Sequence, residues 1–414
     1  MSISYGTVPY NFVDSQFGTA SSGHPKTNVP VIYDRMYHRQ TQTKVLFKKH
    51  GLIGDDGFNE GDTEQTAVGF PVIRKTNFSV NKGDTIIMHL EKNINAGVNS
   101  GIVGQNQLVD NEVGWNTDNL KVKIEQYRNG LLTYAGMNEQ RNPYSESLIQ
   151  LQMDKLSTWS AQTIDTGILY ALHYGSAPHL YRQYGTTNVT CTANANTLFG
   201  NDLTMDTTRT IANLQADGSD NISPRTFEIG YAYAQKRFFD FINVDGRNYL
   251  GCLISVEAFL ALYQNEDFRK AMYFARDRGV DNPLFKYGDA VVYGNCIIWT
   301  YEKMGSILAA KNPAGLSISN AGAYNSSITE ADYTGIGGGL TTSQLTQVLF
   351  LGANAVCLAE GQMAMRERYE NDYSILLGRA ADNIWGAKRT DWLSETGSAD
   401  LNQSSLNMVV TRKF

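Results

Sequence analysis

The hydrophobic pattern changes period between residues 115 and 175, and the rest of the chain is best read from that stretch. Residues 120–127 (LKVKIEQY) alternate: Leu120, Val122 and Ile124 fall on one face and Lys121, Lys123 and Glu125 on the other. That is the pattern of a half-buried strand. From residue 143 the period lengthens. Ile149, Met153, Leu156, Ile164, Ile168 and Ala171 recur at three- and four-residue steps and their sums, with Trp159 and Thr163 widening the stripe. The spacing predicts one helix over 143–174. Asn142 suits its N-cap and Pro143 its first turn, where a missing N–H costs nothing. Gly175 suits the left-handed position past its end, and Pro178 prevents resumption. At about 1.5 Å per residue it would run about 48 Å, against ordinary helices of about 11–12 residues. A helix this long with a narrow apolar stripe is a strut with something wide lying along it. No catalytic pattern sits on it.

The remaining chain divides around this strut. Residues 1–30 hold Gly, Ser, Thr and Pro with scattered aromatics and no period, as in an extended arm. Residues 31–49 predict a helix ended by Gly51 and Gly54. Short strands follow at 70–73, 77–80 and 85–90, with a turn at 81–84 (NKGD) and an Asn/Gly-rich loop over 93–113. Two strands parted by a long tip make a projecting hairpin that buries little of itself. Beyond the strut, 176–201 reads as loop and 204–216 as an amphipathic helix. Ser223 and Pro224 open a helix over 225–237. The run 247–255 predicts a buried strand, 256–263 and 267–276 helices, 290–293 and 295–301 strands joined through Gly294. Residues 311–340 read as a surface loop, 348–359 as a single strand, and the tail as mixed helix and strand ending in a strand at 408–411. The order is α+β, with no βαβ repeats and no internal repeat.

Composition adds a modest constraint. The 414 residues are 42% hydrophobic and 18% charged, and include 23 tyrosines. This suits either broad polar contact surfaces or a loop-rich β protein. Residues 1–5 lack the basic and apolar regions of a signal peptide, and no apolar run reaches the roughly 18 residues of a membrane span, so no membrane partner is expected. Cys191, Cys252, Cys296 and Cys357 stand far apart without CxxC spacing and read as buried or bystander thiols. The net charge of −6 hides an asymmetry: residues 1–50 carry +4 and the remainder −10. Arg35, Arg39, Lys44, Lys48 and Lys49 form a basic arm. Asp55, Asp56, Glu60, Asp62 and Glu64 follow as an acidic loop. The pair suggests contact between copies, head to tail or arm over a neighbour's acidic surface; two solvated loops are the alternative.

Catalytic and ligand motifs are not found. The six histidines show no HxxxH or HExxH spacing. The acidic loop lacks the ligand spacing of a calcium loop. Gly335–Gly339 lacks the Lys-Ser/Thr of a phosphate loop, and no GxSxG is present. No cofactor and no enzymatic activity are expected. The acidic balance also argues against sequence-specific DNA reading.

Several landmarks stand in a particular order. They are residues 81–84 (NKGD) before a strand, 121–127 (KVKIEQY), 137–143 (MNEQRNP) leading into the long helix, and 156–159 (LSTW). Then come 249–254 (YLGCLI), 280–285 (VDNPLF), 349–353 (LFLGA) and 386–388 (GAK). In this order they resemble the major capsid proteins of tailed bacteriophages, of the group typified by coliphage N-four, over roughly residues 45–390. The resemblance implies a Hong Kong 97-type shell fold. It would comprise an N-terminal arm (1–50), an extended hairpin or E-loop region (51–120), and a peripheral domain (121–178) holding the spine helix. An axial domain (179–345) and a return to the peripheral domain (346–414) would complete it. One departure is Ser255-Val256, where the family pattern leads to a proline after the apolar strand. The resemblance further implies self-assembly into hexamers and pentamers of an icosahedral head, with a separate scaffolding protein, since residues 1–50 are too short and Gly/Pro-rich to be a built-in one. Portal and decoration proteins would be partners, and packaged double-stranded DNA would be held by weak non-specific contact. An encapsulin-like cellular compartment is the alternative user of this fold.

Overall fold

The computed structural model describes residues 29–55, 69–76, 85–91, 117–134, 148–174, 176–177, 188–190, 196–206, 208–215, 217–237, 239–244, 246–276, 291–301, 317–319, 340, 344–367, 376–390, 392–393, 399–400 and 404–412. Its helices are α1 (Val29–Lys44), α2 (Leu46–Lys49), α3 (Leu148–Tyr174), α4 (Pro224–Lys236), α5 (Val256–Gln264) and α6 (Glu266–Arg276). Two sheets carry the fold. The six-stranded sheet runs Ile53–Asp55, Val72–Lys75, Val356–Glu367, Leu376–Arg389 and Glu125–Tyr134, with Ser176–Ala177 also on Leu376–Arg389. The seven-stranded sheet runs Val291–Tyr293, Cys296–Thr300, Arg247–Ile254, Leu345–Leu351, Ser405–Thr411 and Thr197–Phe199, with Ile242–Val244 also on Arg247–Ile254.

The long helix α3 spans 27 residues; the predicted first turn at 143–147 lies outside the described residues. Met153, Leu156, Ile164, Ile168 and Ala171 are buried as the stripe predicts. Trp159 is half-buried, packed against the core from its edge. The narrow stripe holds only for the first half, where Leu151, Asp154 and Lys155 face solvent. From Thr163 to Leu172 every side is buried, including Asp165 and Thr166. The second half therefore runs through the core as an axle, and Gly167 shows how tightly. A Cβ there would lie 2.1 Å from the Trp385 ring, which explains a glycine in mid-helix despite a cost of about 1 kcal/mol.

The six-stranded sheet is covered on both faces. Val72, Val356, Leu358, Ala381, Trp385 and Ala387 turn toward α3 and α1. Ile73, Cys357 and Ala359 turn the other way, to meet Leu120, Val122 and Ile124. Those three are the alternating face read from the sequence. The predicted strand at 119–127 is two strands, parted at Ile124: Thr117–Lys123 pairs with Thr85–Glu91 as a hairpin, and Glu125–Tyr134 joins the sheet. Gly386 permits the crossing, because its missing Cβ would stand 2.1 Å from the Lys123 carbonyl oxygen.

The seven-stranded sheet is likewise buried on both faces, which is why 247–254 reads as an unbroken apolar run. Tyr249, Leu253, Ile297, Trp299, Leu349 and Leu351 join the α3 core. Leu250, Cys252, Ile254, Ile298, Val348 and Phe350 form a second core under α4, α5 and α6.

Several sequence expectations are corrected. Among the described residues of 204–216 there are turns and one 3-10 turn, Ile211–Asn213, and no α-helix. Side chains capture the backbone donors that a helix would use: Asp202 takes Thr204 N (3.0 Å), Asp206 takes Thr208 N (2.8 Å) and Asn213 takes Thr210 N (2.9 Å). The single strand expected at 348–359 is two, interrupted at 352–355, where Asn354 takes φ 59° and the chain changes sheets. The predicted helix at 31–49 breaks at Val45, whose ψ of 120° is extended. In the tail Leu376–Arg389 is one strand, and no helix occurs there among the described residues. The loops at 176–201 and 311–340 contribute paired strands, Asn188–Thr190 and Ser317–Ser319. The segment 346–414 contributes strands to both sheets. Val356–Glu367 and Leu376–Arg389 lie in the six-stranded sheet, whereas Leu345–Leu351 and Ser405–Thr411 pair with each other in the seven-stranded one.

Candidate functional site: the clasp between arm helix, spine and sheet

The helices α1 and α2 lie across α3, and α1 also lies across the strand Val356–Glu367. The contact is largely polar. Tyr37, fully buried, donates to Asn383 Oδ1 at 3.0 Å; Asn383 Nδ2 donates to Ser160 Oγ at 2.7 Å; Ser160 and Tyr37 share a short hydrogen bond. The three groups close a ring in which each can donate once and accept once, an arrangement that polarises cooperatively. Burial pushes the Tyr37 hydroxyl above its ordinary pKa, against the opposing effect of its Ser160 and Asn383 hydrogen bonds, so at neutral pH it remains a donor.

A second cluster surrounds Glu360, whose side chain is buried. Arg74 reaches it at 3.2 Å, Gln42 Nε2 donates to it, and His38 stands 3.9 Å away. The Gln42 carbonyl accepts from Lys48 Nζ (2.9 Å) and Arg74 (3.0 Å), so one amide joins α1, α2 and two strands. A buried carboxylate is tolerable only with such partners.

The ends of the helices complete the clasp. Lys44 Nζ donates to Asp154 O and Oδ1, Ser157 Oγ and Thr158 Oγ1 at 2.6–3.0 Å, fastening the last turn of α1 to α3. Asp165 accepts the Leu46 amide at 2.9 Å and the Phe47 amide at 3.4 Å, serving α2 as a cap supplied from another helix. Asp34 accepts Met365 N at 2.7 Å. Burial raises its carboxyl above the ordinary range, partly opposed by that hydrogen bond and by Arg366. At the far end of α3 the fully buried Arg389 donates to Leu172 O at 3.0 Å, a cation on the terminal carbonyls where the helix dipole favours one.

Each residue expected at a contact between copies has a definite position or lies outside the description. Arg35 and Arg39 are exposed one turn apart on α1 and have no partner among the described residues. Lys44 and Lys48 direct their ammonium groups into the clasp, and Lys49 is exposed. Asp55 ends the strand Ile53–Asp55; Asp56, Glu60, Asp62 and Glu64 lie outside the described residues, as do Cys191, His179 and residues 335–339. Tyr37, Asp165, Glu360 and Asn383 were not anticipated. Asp165, polar within an otherwise apolar helical stretch, was the one visible signal. Nothing in the clasp is arranged as a nucleophile with its base. Among the described residues no group of three or more His, Cys, Asp or Glu side chains is placed to hold a metal ion.

The chain belongs to the phage capsid protein family, whose pattern it matches over residues 26–411. Solved structures agree. The capsid of Ralstonia phage GP4 aligns at 16% identity over 86% of this chain and 97% of that one, with a TM-score of 0.57. The cyanophage Pam1 capsid aligns at 15% identity over 90% and 92%, with a TM-score of 0.59. The capsid of Helicobacter pylori bacteriophage KHP30 aligns at 14% identity over 87% and 90%, with a TM-score of 0.53. No curated protein matches by sequence. The fold is therefore of the Hong Kong 97 type, and the chain functions as a major capsid protein, a structural component of the virion shell. The encapsulin-like alternative gains no support, since these neighbours are all phage capsids.

Proposed function

We propose that this chain assembles as hexamers and pentamers into the icosahedral head of a tailed double-stranded DNA phage, in the host cytoplasm. A separate scaffolding protein guides it, portal and decoration proteins complete the head, and packaged DNA touches it weakly and without sequence preference. In this reading the six-stranded sheet and α3 are the peripheral domain, and the seven-stranded sheet is the body of the axial domain. The hairpin of Thr85–Glu91 and Thr117–Lys123 is the base of the E-loop. The observation that carries the reading is that hairpin. Its two strands pair only with each other among the described residues, and Leu120 and Val122 pack into the core. A hairpin whose backbone is paired with no third strand gains stability from a neighbour.

The arm cations supply the accompanying contact. With Lys44 and Lys48 engaged within the chain, Arg35 and Arg39 are the arm cations offered to an acidic surface of another copy, for which residues 55–64 provide Asp55, Asp56, Glu60, Asp62 and Glu64. The test is electron microscopy with sedimentation of the purified chain, alone and with any co-encoded scaffold. Closed shells, tubes or hexamers support the reading, and a chain that stays monomeric or dimeric at high concentration overturns it. The double substitution Arg35→Glu/Arg39→Glu should lower shell yield about tenfold with an unchanged melting temperature, since exposed charges chiefly govern association.

A further inference from the structure

The helices over the seven-stranded sheet leave part of their outer surface apolar. On α5, Val256, Leu260 and Tyr263 are 48%, 54% and 47% exposed, at steps that place them on one face. Beneath this face a chain of aromatic rings runs inward through the fully buried Phe268. Tyr263 meets Phe268 with centroids 6.4 Å apart, and Phe268 meets Tyr293 at 6.0 Å. Tyr293, the last of these rings, lines an open groove of about 500 Å³ between α4 and the turn that joins Val291–Tyr293 to Cys296–Thr300. Phe227, Glu228, Tyr231, Tyr293, Asn295 and Cys296 are among its lining residues.

The groove has a distinct chemistry. Glu228 is exposed, and its partner among the described residues is the Tyr293 hydroxyl, at 3.3 Å. No cation lines the groove among the described residues. Aromatic faces beside a carboxylate attract one kind of guest, a lysine ammonium or an arginine guanidinium, through the ring quadrupole and the opposite charge together. The same carboxylate disfavours nucleic-acid phosphate. A strip of exposed apolar side chains on the same domain as such a seat is what a protein partner covers.

We propose that this strip and groove are a contact between copies of the chain, in which Val256, Leu260 and Tyr263 cover an apolar surface of the neighbour and the groove seats one of its lysine or arginine side chains. The occupant follows from two observations. The chain belongs to a shell-forming family, so its partner in greatest supply is itself. The chain also displays matching cations: Arg35, Arg39, Arg128 and Arg247 are exposed and have no partner among the described residues. The inference rests on the capsid reading, and the experiment separates the two.

A photoreactive benzoylphenylalanine in place of Asn295, in the exposed turn at the groove's edge, is irradiated in assembled shells and in free subunits. The expected result is a covalent dimer in shells alone, with the adduct mapped beside a lysine or arginine of the second copy. In parallel, Glu228→Lys should raise the subunit concentration needed for shells about tenfold, and Glu228→Gln should raise it less, with melting unchanged in both. Shells that form without an inter-chain adduct, or at the wild-type threshold with Glu228→Lys, overturn this contact and leave the capsid reading intact. A wild-type chain that forms no shells under any condition overturns both.

Discussion

The two large buried regions of this protein are made differently. Under α4, α5 and α6, the face of the seven-stranded sheet carrying Leu250, Cys252, Ile254, Ile298, Val348 and Phe350 meets Phe227, Ile229 and Phe268 in a mainly apolar contact, with a Tyr233–Asn196 hydrogen bond of 2.9 Å beside it. Even its cysteines serve as small apolar groups: burial, together with neighbouring Cys296, pushes the Cys252 thiol well above its usual pKa. Under α1 and α2, by contrast, buried Val45 and Phe47 are accompanied by a polar set, Tyr37, Gln42, Lys44, Asp165, Glu360 and Asn383. The first region is held by a force proportional to area and indifferent to direction. The second is held by pairs that exist in only one register. Stability and alignment are thus assigned to separate places. A polar clasp contributes little net energy per bond but penalises every misaligned alternative.

Substitutions should separate these roles. The largest effect is expected from Phe350→Ala in the apolar region. Its ring fills the space left by Gly230, where a Cβ would stand 2.4 Å from it, so truncation leaves a cavity. Chemical denaturation should show a loss of about 3–5 kcal/mol across the whole cooperative transition. In the clasp, Asn383→Leu removes the partner shared by Tyr37 and Ser160 and strands buried hydroxyls, at about 1–3 kcal/mol. Its signature should be local. Hydrogen exchange at residues 34–49 should accelerate well before global unfolding, and a uniform loss across the molecule would contradict the division drawn here.

The smallest effect concerns Asp34. Its folded pKa is raised, so the folded state holds a proton more readily than the unfolded chain. Its contribution is therefore fully present below the unfolded value of 3.8 and is lost as pH rises through the folded one. At neutral pH the ionised carboxylate weakens the dock, although it accepts the Met365 amide. Asp34→Asn keeps an acceptor without the charge. It should slow exchange at residues 34–49 at pH 7, and the difference should vanish as the solution is acidified through the wild-type pKa.

The same contrast explains what the sequence disclosed. Apolar burial leaves a periodic trace, so the long helix, the strand Arg247–Ile254 and the hairpin face of Leu120 and Val122 were legible. The clasp leaves none, because Tyr37 meets Ser160 and Asn383 across 123 and 346 positions of the chain. Its members look like ordinary polar residues until the fold brings them together. The failure at 204–216 has a nearer cause. Its apolar spacing suits a helix, but Asp202, Asp206 and Asn213 compete for the backbone donors at short range. At 352–355 the hydrophobic run continues through the turn, so composition conceals the change of sheet. Charge asymmetry singled out Arg35, Arg39 and Lys44 alike, and could not tell exposed Arg35 and Arg39 from Lys44, which has an intramolecular task.

The four residues 352–355 also bear on how the subunit carries load. They are the short covalent bridge by which Leu345–Leu351 of one sheet becomes Val356–Glu367 of the other. The bridge is stitched on three sides, with Gly352 N to Ser404 O at 2.7 Å, Ala353 N to Asp240 O at 2.6 Å and Asn354 N to Phe70 O at 2.8 Å. Tension between the two halves of the molecule is therefore borne by backbone running from strand to strand, braced by three distant segments. Such a joint is stiff in extension and leaves little slack, which suits a wall tile that must transmit force to its neighbours without stretching.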